Sequence, residues 1–231
     1  MNRTRIKICG ITREQDLRAA VDGGADALGF VFYPKSPRYL APEQWKALAP
    51  AMPPFVNGVG LFVNASVDEV RQAVDNGPIA LLQFHGDETA EQCAAIAAAV
   101  RRPFVRAFRV KPDTSASDLL ESEAQYRVAS AWFSGLLLDT WVDAYGGAGK
   151  VFDWSLIPKE LAPRVVLSGG LSVQNVTSAV MRVRPFAVDI SSGVEESKGI
   201  KDARKIAAFI DAVRAADASP DTSESHHGEH S

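Results

Sequence analysis

Two side chains that close apolar runs carry most of the chemistry open to this sequence. Cys9 ends Ile6-Lys7-Ile8-Cys9, and Asp139 ends Leu136-Leu137-Leu138-Asp139. Side chains alternate along a strand, so Lys7 and Cys9 share one face while Ile6 and Ile8 share the other. A cation beside a thiol favours the thiolate, which serves as a base or a nucleophile. Without such a partner a buried cysteine is an inert small hydrophobe, which is how Cys93, on an apolar helical stripe with Ile96 and Val100, reads. A carboxylate after three leucines is poorly solvated unless it meets a partner, and partial burial moves it towards a useful acid. A helix cap or an ion pair is the plainer role for it. His85, in Gln83-Phe84-His85-Gly86, suits a general base, a substrate contact or a hydrogen bond to a neighbouring loop, with the structural role favoured. Arg38, in Tyr33-Pro34-Lys35-Ser36-Pro37-Arg38-Tyr39, presents a fork suited to a carboxylate unless it simply faces solvent.

Two glycine turns suggest an anion site. Ser168-Gly169-Gly170-Leu171 and Ser191-Ser192-Gly193-Val194 follow the last two apolar runs. Glycine lets backbone N–H groups approach an anion closely, and serine hydroxyls add donors. Gly169, Gly170, Ser192 and Gly193 are therefore candidate phosphate contacts. A third cluster, Gly146-Gly147-Ala148-Gly149-Lys150, imitates a P-loop and fails as one: Ala144 stands at the first glycine position, and Val151 follows the lysine where Ser or Thr is needed. It reads instead as a mobile loop over the mouth of a site.

These residues need a scaffold, and the pattern supplies one. Strands are expected near 6–9, 27–32, 57–62, 80–85, 104–108, 135–139, 165–168 and 187–190. Helices are expected near 14–22, 42–50, 67–75, 90–100, 117–131, 155–160, 173–182 and 201–215. Thr12 with Gln15, Ser66 with Glu69 and Thr89 with Gln92 have capping-box spacing, and Pro42 suits a first helical turn. Strict strand–helix alternation implies parallel strands joined by right-handed crossovers. Eight such units favour an α/β fold that closes as a single (β/α)8 TIM barrel; a doubly wound open sheet is the alternative. In a closed barrel the active site lies at the C-terminal ends of the strands, where Cys9, His85, Asp139, Ser168 and the Asp189–Ser191–Ser192 group fall.

Composition narrows the class. With 25 Lys plus Arg against 28 Asp plus Glu the net charge is −3 in 231 residues, which argues against a nucleic-acid partner or a membrane surface. No stretch approaches the ~18 apolar residues of a membrane span, and the first residues do not read as a signal peptide, so a cytoplasmic enzyme or binding protein is expected. Two cysteines exclude a disulfide scaffold. Of four histidines, His226, His227 and His230 lie in a polar segment with no large apolar residue, expected to be a disordered tail at 217–231 after one domain at 1–216. That leaves His85 alone in the body, too little for a multi-histidine metal site or a Ser-His-Asp triad, and no metal is expected.

Taken together, KICGIT at 7–12, GADALGFVFYPKSPRY at 24–39, QFHGDE at 83–88, LLLDT at 136–140, GGAGKVFDW at 146–154, LSGGLSVQNV at 167–176 and RPFAVDISSGVE at 184–195 resemble the phosphoribosylanthranilate isomerases. The likeness runs in order from about residue 5 to 212. Phe84, Ala148 and the polar tail depart from the family's pattern, and none touches the expected chemical groups. The resemblance implies a barrel enzyme that needs no cofactor. It converts N-(5-phosphoribosyl)anthranilate to 1-(2-carboxyphenylamino)-1-deoxyribulose 5-phosphate by an Amadori rearrangement in tryptophan biosynthesis. It further implies Cys9 as general base, Asp139 as general acid, Arg38 on the anthranilate carboxylate and the glycine turns on the phosphate, in a monomer or homodimer. A bifunctional isomerase that also takes the analogous histidine intermediate is disfavoured, because such enzymes use two aspartates and Cys9 occupies the first position. A non-catalytic sugar-phosphate-binding barrel is disfavoured by the intact Cys9–Asp139 pair.

Overall fold

The apolar runs become strands because their branched and aromatic side chains alternate between two buried faces. The computed structural model describes residues 3–140 and 151–219. In it, β1 (Arg5–Cys9), β2 (Ala27–Val31), β3 (Asn57–Phe62), β4 (Ile79–Phe84), β5 (Phe104–Val110), β6 (Phe133–Thr140), β7 (Val166–Leu167) and β8 (Ala187–Ile190) pair in sequence order. Each pairing is parallel, and β8 returns to β1 with Lys7 opposite Asp189, so the sheet closes. The closing ladder decides for the TIM barrel and against the open sheet. Around it lie α1 (Glu14–Gly23), α2 (Pro42–Leu48), α3 (Val67–Asp75), α4 (Ala90–Val100), α5 (Ala116–Ala129), α6 (Val176–Val183) and α7 (Ala203–Ala218).

The outward residues of the strands, among them Ile6, Ile8, Leu28, Phe30, Leu82, Phe84, Leu136, Leu138, Val188 and Ile190, pack with the inner faces of the helices in one apolar layer. Each such side chain contributes ~1.5–3 kcal/mol on burial. Trp45 of α2 stacks on Phe30 at 4.4 Å and donates its indole N–H to the Ala73 carbonyl at 2.8 Å. By alternation Val31, Val59, Val105, Ala107, Leu137 and Ala187, also buried, fill the barrel interior. A packed interior leaves the strand ends as the place for a site.

Local chemistry sets most helix starts. Ser66 with Glu69 and Thr89 with Gln92 form the expected capping boxes, and Pro42 opens α2. The box expected at Thr12 and Gln15 does not form: the Thr12 hydroxyl donates to the Gly199 carbonyl at 2.8 Å, and Arg13 stands at the start of α1 without a side-chain cap. The expected helix at 155–160 is replaced by 3-10 turns at Trp154–Leu156 and Ala162–Arg164. Pro158 and Pro163 each remove an N–H donor there, which prevents a longer helix. A hairpin of β9 (Glu195–Ser197) and β10 (Ile200–Lys201), not expected from the sequence, precedes α7, whose N-cap is Asp202.

The expected boundary at 216 falls inside α7, which continues through Ala218. The Asp217 carboxylate accepts from the Thr4 amide and hydroxyl, both at 2.7 Å, and so ties the end of the chain to the start of β1. Residues 220–231, most of the expected tail, and the glycine loop at 146–150 lie outside the described residues. Among the described residues no helix is long and apolar enough to cross a membrane. A chain ending at Ser219 should melt as the full chain does, whereas one ending at Ala216 should lose ~1–3 kcal/mol with those hydrogen bonds. Calorimetry of both checks this; equal melting of the two would show that the Asp217 tie contributes nothing.

Candidate active site

The closing β1–β8 ladder sets Lys7 and Asp189 side by side on the inner face. Their ion pair spans 2.8 Å and both side chains are buried; the Ser168 hydroxyl donates to the other Asp189 oxygen at 3.3 Å. Burial works against the Lys7 ammonium, but Asp189 and the Cys9 sulfur more than offset it and hold the group at about 12. Cys9, one step along the same face, is 4 % exposed. Its register partner is Gly29, where a Cβ would lie 2.7 Å from the sulfur and 3.0 Å from Lys7 Nζ. Only glycine leaves room for the thiol and ammonium together. Burial pushes the Cys9 thiol above its usual value, with Lys7 and Lys201 pulling it down and Asp189 pushing it up. The expectation that a nearby cation would favour thiolate therefore meets a larger opposing effect, and the resting group is a thiol. Cys93 packs in the core behind β4, where burial pushes its thiol up to about 12, and both cysteines are free.

The hairpin β9–β10 completes the site beside Cys9. Glu195 accepts from Arg38 Nε and Nη2, both at 2.7 Å, and from Lys201 Nζ at 2.9 Å. Lys201 also donates to the carbonyl of Ser191, whose hydroxyl donates to the Cys9 carbonyl at 3.1 Å. The Arg38 stem crosses the end of β1, since a Cβ on Gly10 would lie 2.5 Å from its Cδ. With one edge of the guanidinium held by Glu195, the Nη1 side is the edge available to a ligand. Burial raises Glu195, but Arg38 and Lys201 outweigh it and hold the carboxyl below its usual value.

Asp139 closes β6, and its Oδ2 lies 3.1 Å from His85 Nε2 at the end of β4. His85 Nδ1 is 3.0 Å from Gln83 Nε2. Both ring nitrogens are thus engaged by protein groups. Between Asp139 and Cys9 around the rim lie the two glycine turns, after β7 and β8. Gly169 has φ +80, and a Cβ there would fall 2.2 Å from the Thr140 amide and 2.8 Å from Asp139 Oδ1. A side chain there would displace Asp139. Among the described residues the amides of Gly169, Gly170, Ser192 and Gly193 find no acceptor. Four such N–H groups on adjacent turns have the chemistry to accept an anion.

The structure thus gathers Cys9, Arg38, Asp139, His85, Gly169, Gly170, Ser192 and Gly193 at one end of the barrel. Sequence reasoning missed Gln83, Glu195 and Lys201 and gave Asp189 no partner. Gln83 left a signal, an amide within an apolar strand; Glu195 and Lys201 left none, because only the hairpin brings them to Arg38. Among the described residues no three His, Cys, Asp or Glu side chains converge as a metal site.

The Glu195 cluster has a testable pH signature. A carboxyl held low in the fold contributes stability above its usual 4.5, and that contribution is lost as pH falls through the lower folded value. Glu195→Gln leaves Lys201 and Arg38 without their counter-charge and should cost ~3–5 kcal/mol near neutral pH. The deficit should narrow below pH 4.5. Denaturant titrations at several pH values read both effects; a deficit that stays constant into acid would contradict the pairing.

The pattern that defines the N-(5'phosphoribosyl)anthranilate (PRA) isomerases matches residues 6–212. The chain is 68% identical over 218 residues to the N-(5'-phosphoribosyl)anthranilate isomerase of Herminiimonas arsenicoxydans, covering 94% of this chain and 96% of that one. A solved phosphoribosylanthranilate isomerase in complex with reduced 1-(o-carboxyphenylamino)-1-deoxyribulose 5-phosphate is 41% identical, with a TM-score of 0.78, covering 92% of this chain and 99% of that one. A structure of engineered monomers of the dimeric enzyme from Thermotoga maritima is 40% identical, with a TM-score of 0.77 over the same shares. A closed barrel with this rim and these relatives place the chain in the phosphoribosylanthranilate isomerase family.

Proposed function

We propose that Cys9 and Asp139 are the base and the acid with which the chain performs its family's reaction. That reaction converts N-(5-phosphoribosyl)anthranilate to 1-(2-carboxyphenylamino)-1-deoxyribulose 5-phosphate, a step of tryptophan biosynthesis. The observation that carries the assignment is the order around the rim. Cys9 on β1 and Asp139 on β6 flank the unpaired amides that follow β8 and β7. A sugar phosphate seated on those amides lies between an acid and a base.

Asp139 protonates the furanose ring oxygen and the ring opens to a Schiff base. Cys9 releases its thiol proton to solvent and, as the thiolate, removes the proton from C2; the enolamine then tautomerises to the ketone. The resting thiol suits this sequence: ring opening creates a cationic imine, and that new charge favours thiolate at the step that needs it. Arg38 takes the anthranilate carboxylate on its Nη1 side, while Glu195 fixes the guanidinium plane. The cations Lys7, Lys201 and Arg38 outnumber Asp189 and Glu195 around the sulfur, an excess that suits a substrate with two anionic groups.

A homodimer is the assembly this reading favours. The Thermotoga enzyme is dimeric, and here Phe55, just before β3, is fully exposed with φ 67, a conformation that a bulky side chain adopts at a cost. Phe55→Asp should sediment as a monomer where the parent sediments as a dimer; an unchanged sedimentation coefficient would reject the contact.

Loss of substrate fluorescence measures turnover directly. Asp139→Asn should lower kcat by roughly 10²–10⁴ with little change in binding of a product analogue, and Cys9→Ala should do the same. Arg38→Ala should act mainly through KM, because the carboxylate it grips is present throughout the reaction. A Cys9→Ala protein with near-normal kcat, or the same kinetic pattern in all three, would break the division of roles.

A further inference from the structure

Gln83 is a poor choice for packing. It is 1% exposed, flanked by Leu82 and Phe84 on the helix-facing side, and its carbonyl Oε1 has no hydrogen-bond partner. A leucine would occupy the same space without leaving a buried acceptor unsatisfied. The amide therefore points to a role beyond packing, and its other end shows which. Gln83 Nε2 meets His85 Nδ1 at 3.0 Å, and His85 Nε2 meets Asp139 Oδ2 at 3.1 Å.

A neutral imidazole has one donor and one acceptor, so what Gln83 presents to one nitrogen fixes the other. With the amide N–H directed at Nδ1, Nε2 carries the proton and donates to an Asp139 carboxylate. With the amide turned so that Oε1 accepts from an Nδ1–H, Nε2 becomes the acceptor and Asp139 holds the proton as its donor. The second arrangement contains one proton more than the first, and that proton sits on the oxygen facing His85. We infer that Gln83 is a positioning residue for the acid: its amide selects the tautomer of His85, and through it presents Asp139 as a loaded donor or as a carboxylate. This rests on the reading of Asp139 as the acid. It makes His85 the link between amide and carboxyl rather than a contact of the substrate.

Nitrogen-15 NMR of histidine in the full chain, with the His85 signals identified by their loss in His85→Gln, tests the inference without relying on turnover. The parent should show a fixed tautomer at His85. Gln83→Leu should release it to an average of the two tautomers, and Gln83→Glu, whose ionised carboxylate can only accept, should move the proton to Nδ1. In kinetics Gln83→Leu should lose about 10- to 100-fold in kcat with KM nearly unchanged. His85→Gln, which keeps a donor towards Asp139, should retain more activity than His85→Ala. If Gln83→Leu does not fold, Gln83→Glu alone decides. A folded Gln83 variant in which His85 keeps the parent tautomer overturns the inference. Full turnover by Asp139→Asn would overturn the acid assignment instead, whatever the tautomer does.

Discussion

The Lys7–Asp189 ion pair is the interaction on which this barrel and its site both depend. It sits where the last strand meets the first, the pairing that turns a sheet into a closed barrel. At an effective dielectric of about 20 two charges at this range attract by roughly 4–6 kcal/mol, and burying them costs a comparable amount, so the pair is a weak source of net stability. Its consequence is specificity. Charges of opposite sign on adjacent inward positions disfavour any register of β8 on β1 that would part them. The same pair places a fixed ammonium against the sulfur of Cys9, so the element that closes the fold also sets the chemistry at its mouth.

A second layer of charge regulates the first. Glu195 and Lys201, brought in by the hairpin before α7, hold Arg38 edge-on and put another cation near Cys9. Burial thus outweighs the surrounding positive charge and keeps the sulfur a thiol at rest, and the proposed mechanism has it ionise when the substrate becomes cationic. Asp139 is held by a different device, a hydrogen-bonded chain through His85 to an amide in the barrel wall. Asp139 and Cys9 sit three strands apart, and among the described residues the amides of Gly169, Gly170, Ser192 and Gly193 between them have no acceptor. On the proposed reading, a phosphate held there orients the sugar for both without moving either.

Much of this was legible in the sequence because it depends on local periodicity. Alternation in Ile6-Lys7-Ile8-Cys9 put lysine and cysteine on one face, as observed, and eight strands were recognisable from apolar runs bounded by turns. What was not legible depends on closure or on side chains far apart in the chain. Asp189 meets Lys7 across 182 residues and Glu195 meets Arg38 across 157. The hairpin was hidden because Glu195–Lys201 is short, polar and glycine-interrupted, and reads as a loop running into a helix. The box at Thr12 failed because tertiary structure offered its hydroxyl the Gly199 carbonyl, and the end of α7 was misplaced because Thr4 gives Asp217 a partner no local pattern shows.

The central claim is that burial holds the Cys9 thiol high while the charge of Lys7 beneath it limits that rise. The direct measurement is the thiolate ultraviolet absorbance of Cys93→Ala against pH, beside the same titration of Cys93→Ala/Lys7→Met, with circular dichroism confirming that both fold. The account predicts that Cys9 titrates above its usual value of 9.0 in the first protein and higher still in the second. A thiolate already formed at neutral pH, or a titration that ignores the loss of Lys7, would contradict it.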